Sequence, residues 1–192
     1  MDDRTSERHH MISTLLAADL PLTRPLFLVA AVFAIAIAAA LAAAGRSGRI
    51  VAGLLSIVGI GAVLALTLSP IGSAVGRSSS CNVEPYNLFS DTANVALFFL
   101  PAIFVVVATR SAAVVAVLGP LGSASIEIAQ YALPELSRRC DVDDLLANSA
   151  GAIAAALIGA VILLVARVGE RHSADRERSG APGPEVRIPE YR

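Results

Sequence analysis

Residues 25–44 read PLFLVAAVFAIAIAAALAAA, and residues 50–69 read IVAGLLSIVGIGAVLALTLS. Neither run holds a charge; Arg46 and Arg49 lie between them. About 20 residues at about 1.5 Å each are enough to cross roughly 30 Å of hydrocarbon. A backbone in lipid must satisfy its own hydrogen bonds, so such runs are helices. The pair predicts an all-α chain, a polytopic membrane helix bundle.

Three more apolar segments follow. They are expected at about 93–109, 112–133 and 145–166, giving about five transmembrane helices within a domain spanning 25–166. Residues 1–24 form a polar N-terminal segment, and 167–192 read as a disordered, Arg-rich tail. Between the second and third spans, residues 76–94 read GRSSSCNVEPYNLFSDTAN, with the Ser, Asn and Pro of a loop. Gly119, Pro120 and Gly122 predict a kink in the fourth span.

Composition agrees. The chain has 192 residues, 55% hydrophobic and 16% charged, with a mean hydropathy of +0.68. Soluble domains average near 45–50% apolar and about 25% charged. Fifteen basic and sixteen acidic residues nearly cancel, so nucleic acid is not an expected partner. Every basic residue is Arg. This excludes a Lys nucleophile, a Schiff base and a P-loop Lys. Two Cys cannot build a CxxC-type zinc centre. No cofactor and no resident metal are expected.

Arg also sets the expected orientation. Arg167, Arg171, Arg176 and Arg178 follow the last span, which places the C-terminus in the cytoplasm. Alternation then puts Arg110, Arg46 and Arg49 inside. The N-terminus and the 71–93 and 134–144 loops fall outside. Cys81 and Cys140 both lie in those outer loops, where disulfides persist, and are expected to pair.

Some polar residues do not suit a lipid-facing helix. Glu127 lies within the fourth span, where a carboxylate costs about 2.5–3.5 kcal/mol on insertion scales. Ser123, Glu127, Gln130 and Tyr131 share one helix face. In the blander reading, Glu127 staples helices together; in the sharper one it serves a site. Arg138, Arg139, Asp141, Asp143, Asp144 and Asn148 follow. Asp141, Asp144, Asn148 and Gly151 again form one stripe, with Gly151, Ala155 and Gly159 suited to close packing. Asp141 alone could be a helix cap, but a cap does not account for Asn148 deeper in the span. Asn87 and Asn94 flank the third span. All these groups are expected at the outer ends of three helices.

Three elements carry a family resemblance. They are Asn87-Leu88-Phe89 with Asn94-Val95-Ala96-Leu97-Phe98-Phe99-Leu100-Pro101; Ser123-Ala124-Ser125-Ile126-Glu127-Ile128-Ala129-Gln130; and Arg138 through Asp141 and Asp144 to Asn148 and Gly151. Over about residues 55–165 the chain resembles the VanZ-like membrane proteins, a family named for a teicoplanin-resistance accessory protein. In this chain Phe89 follows Leu88 directly, without the family's intervening Pro. The resemblance implies a four- to five-helix envelope protein, with a possible link to glycopeptide susceptibility and no settled reaction.

The residues leave three functions open. The first is binding of a lipid-linked cell-wall precursor or other anionic envelope ligand in the outer leaflet. Arg138 or Arg139 would meet a phosphate or carboxylate, and Asn87, Asn94, Ser123, Gln130 and Asn148 would supply hydrogen bonds. The second is a membrane enzyme with Glu127 as base and Asp141 and Asp144 orienting it or holding a divalent cation. The third is a small transporter with Glu127 as a proton-linked site.

Overall fold

In a computed structural model, residues 23–70, 81–82, 92–133, 136 and 140–179 are described. Five helices are present: α1 (Thr23–Ala43), α2 (Gly45–Leu68), α3 (Thr92–Thr109), α4 (Ala112–Ala132) and α5 (Val142–Ser179). All five are long and apolar enough to cross a membrane. The described residues contain no strand beyond an isolated bridge between Asn82 and Asp141. The chain is a multi-pass membrane protein.

The elements follow the apolar runs, and local chemistry marks their ends. The α1–α2 turn is made at Gly45, whose φ of 63° suits a residue without Cβ. The α3–α4 turn uses Arg110 at φ 55°, followed by Ser111, whose hydroxyl caps α4 by accepting from the Val114 N–H. Helix α4 continues through Pro120 as one element.

One boundary differs from expectation. The last helix does not stop near 166 but runs to Ser179, so 167–179 are helical rather than a disordered tail. Thirty-eight residues exceed a bilayer's thickness, at about 1.5 Å each. The extra turns carry Arg167, Glu170, Arg171 and Asp175, and no Pro interrupts them before Ser179. Glu170 is tied back to the bundle by Arg110, Nη2 to Oε1 at 3.3 Å. The pair is partly exposed and contributes at most about 1 kcal/mol.

Helix α3 is the centre of the bundle and touches each of the other four; its most extensive partner is α5. Phe98, Phe99, Ile103, Val106 and Val107 of α3 are buried. Small residues let the neighbours approach. Ala31, Ala34, Ala38 and Ala42 make a buried stripe on α1. Gly151 and Gly159 of α5 lie directly against Val95 and Val106 of α3. The stripe expected for close packing therefore has that role. In contrast, α2 and α4 scarcely meet.

Candidate functional site at one end of the bundle

The end of α2, the starts of α3 and α5 and the end of α4 converge. Register is set by small residues. Gly119 of α4 abuts Ala152 of α5. One helix repeat at a time toward the site, α4 then carries Ser123 and Glu127 and the antiparallel α5 carries Asn148 and Asp144.

Asp141 is the hub. It precedes α5, and its Oδ1 accepts from the Asp143 N–H at 2.9 Å, which makes it the helix cap. Its own backbone N–H donates to Glu127 Oε2 at 2.8 Å. Asn82 Nδ2 donates to Asp141 Oδ2 at 3.2 Å. Glu127, buried on α4, thus holds the start of α5 against the end of α4. The cap and staple readings are both realised here, and they occupy one oxygen of each of these carboxylates. Beside them, Asn94 in the first turn of α3 donates to Asp144 Oδ1. Gln130 Nε2 donates to the Thr67 carbonyl at 2.9 Å, which ties α4 to the end of α2.

A disulfide between Cys81 and Cys140 closes this end. Their Cα atoms are 4.7 Å apart, within the usual range for such bridges. Asn82 N–H donates to the Cys140 carbonyl at 3.0 Å, and Val142 N–H to the Asn82 carbonyl at 3.1 Å. The bridge spans 59 positions. In the chain-entropy model this contributes about 4 kcal/mol. Peptide mapping without reductant should recover the linked pair. Replacing both Cys with Ser should lower the thermal midpoint accordingly; two free thiols in untreated membranes would remove the assignment.

Three oxygens at this end stand apart. Ser123 Oγ, Gln130 Oε1 and Asn148 Oδ1 are buried and have no hydrogen-bond partner among the described residues. Their residues are 0%, 5% and 2% exposed. A buried polar atom left unpaired costs about 1–3 kcal/mol, and more in lipid. Gln130 Oε1 and Asn148 Oδ1 can only accept hydrogen bonds, and Ser123 Oγ can accept or donate.

Of the residues singled out in the sequence, Asn94, Ser123, Glu127, Gln130, Asp141, Asp144 and Asn148 gather at this end. Asn87, Arg138 and Arg139 lie outside the described residues. Two participants escaped the sequence reading. The Thr67 carbonyl is invisible in a sequence, because any residue has one. Asn82 had a signal: it follows a Cys expected to pair beside Asp141. Among the described residues, no three His, Cys, Asp or Glu side chains converge as a metal ion would require.

A family model described as VanZ/LLP1 matches residues 56–164, which contain α3, α4 and the transmembrane part of α5. No curated protein and no solved structure matches the chain.

Proposed function

Since the chain belongs to the VanZ/LLP1 family, we propose that it binds the polar head of a lipid-linked cell-envelope ligand in the outer leaflet, at the Ser123–Gln130–Asn148 cluster. The observation that carries this reading is the trio of buried oxygens without partners. Uncompensated polar atoms inside a membrane bundle mark sites whose partner arrives from elsewhere. Their shared acceptor character favours a head rich in hydroxyl or amine donors. Arg138 and Arg139, next to Cys140 in sequence, would add contacts to a phosphate or carboxylate on the same head.

Two observations support the outer side. Arg46, Arg49, Arg110, Arg167 and Arg171 belong to the opposite ends of the helices, as expected for a cytoplasmic face. A disulfide persists in an oxidising compartment. A link to glycopeptide susceptibility would follow if the ligand were a cell-wall precursor.

The test separates stability from binding. Ser123→Ala and Asn148→Leu each remove one unpaired oxygen. Both variants should therefore be as stable as the wild type, or more so by up to about 1–3 kcal/mol. Purification from native membranes followed by lipid mass spectrometry should recover an enriched lipid-linked species with the wild type and not with either variant. Equal recovery from all three, or no enrichment over bulk lipid from the wild type, would sink the reading.

A further inference from the structure

A groove of about 450 Å³ runs between α2 and α4, where these two helices scarcely touch. Its volume is within the roughly 300–1,000 Å³ typical of ligand pockets. Its wall on α4 runs from Val114 to Ala129, about 22 Å along the helix axis. So much length for that volume makes it a narrow channel rather than a rounded chamber. Phe98 and Ala102 of α3 and Ala152 of α5 contribute to its floor. The lining is apolar apart from Ser125, whose hydroxyl donates to the Leu121 carbonyl within its own helix.

Two features say what fills it. Ile60, Leu64 and Leu118 line the groove yet are 45%, 44% and 60% exposed, so its side lies open along the membrane-spanning part of the bundle. What borders that opening is lipid. The second feature is continuity. Leu68, Ile126 and Ala129 line the groove's end, and they neighbour Thr67, Glu127 and Gln130 of the polar cluster in sequence. Groove and polar cluster thus occupy the same turns of α4, the side chains of Ser123, Glu127 and Gln130 lying outside the groove's lining.

We propose that this groove holds one straight acyl chain of the ligand, aligned with α4, while the ligand's head occupies the polar cluster. This rests on the head-binding reading above and adds the class of ligand: a lipid with a straight acyl chain, admitted sideways from the bilayer. A void in a packed bundle forfeits dispersion contacts along its walls, and a chain restores them.

Gly122 provides the test. It lines the groove, and a Cβ built there meets no atom within 4 Å. Gly122→Leu therefore enters the channel from an open Cβ position and raises helix propensity. The probe is a phospholipid carrying a photoactivatable diazirine at mid-chain, at trace level in phosphatidylglycerol nanodiscs with the full chain. Label in the wild type should concentrate on groove residues and persist after detergent washing. In Gly122→Leu, groove label should fall to the level on the lipid-facing Leu157 and Leu164.

Equal labelling of the groove and those outer positions in the wild type would overturn the proposal. So would label unchanged by Gly122→Leu, or cross-links from the groove to residues 1–22 or to a second copy. Preferential labelling by a polyprenyl probe of the same design would overturn the straight-chain assignment. Ser123→Ala distinguishes the two levels of the argument. If it loses the native ligand while groove label is indifferent to Gly122→Leu, the head site stands and the groove assignment fails. If Gly122→Leu abolishes groove label while Ser123→Ala retains the native ligand, the head site fails.

Discussion

Gly151→Leu should leave almost no folded protein. A Cβ at Gly151 would lie 2.3 Å from the Val95 carbonyl oxygen, 3.1 Å from its carbon and 3.2 Å from the Phe99 nitrogen. All three are backbone atoms of α3, so no rotamer change relieves the collision. The two central helices must separate, and the Asn94–Asp144 bond lies in the same interface. Overpacking against side chains costs about 1–3 kcal/mol; against an unyielding backbone the cost should exceed that range. Gly151→Ala should already be destabilised, because the clash begins at Cβ. Gly61, also in an apolar span, is the contrast: a Cβ there meets nothing within 4 Å. Gly61→Ala should match the wild type or gain up to about 1 kcal/mol of helix propensity. Fluorescence-detected size exclusion over a temperature series reads all three. A Gly151→Leu protein that is monodisperse with a wild-type midpoint would refute the α3–α5 contact.

The same contact illustrates how far a sequence can be read. Five spans follow from apolar runs of the right length, four of them uncharged and the fourth interrupted by Glu127, because lipid imposes one simple rule on the backbone. The small-residue stripe at Gly151, Ala155 and Gly159 was legible as a packing face, though nothing in it names α3 as the partner. Pairing of Cys81 with Cys140 followed from placing both loops on one side. The end of α5 was misread, because charge density suggests disorder, whereas a helix without Pro can continue into water when an Arg110–Glu170 contact supports it. In the polar cluster, residue types were legible and their division of labour was not. Glu127 and Asp141 stand out in the sequence for their charge, yet each gives an oxygen to a backbone N–H. Ser123 and Asn148 look ordinary by comparison, and their lack of partners emerges only once the helices are packed.

That division of labour makes Glu127 the most informative single position. Its Oε2 accepts from the Asp141 N–H at 2.8 Å and so holds α5 to α4. Glu127→Leu removes the acceptor and leaves a backbone donor unpaired in a part-buried setting, at a cost of about 1–3 kcal/mol. Glu127→Gln keeps an amide oxygen of the same reach, so the staple survives and the thermal midpoint should stay close to that of the wild type. The two variants differ in what remains for a ligand. Gln offers one accepting oxygen and gives it to Asp141, whereas Glu keeps a second oxygen beyond the one that Asp141 uses. A hydrogen bond contributes about 0.5–1.5 kcal/mol, so ligand retention should fall about two- to tenfold in Glu127→Gln if that second oxygen meets the ligand. Stability near wild type with lost retention would give Glu127 both tasks. If Gln matches Glu in stability and in retention alike, the carboxylate is a staple alone, and recognition rests on Ser123, Gln130 and Asn148.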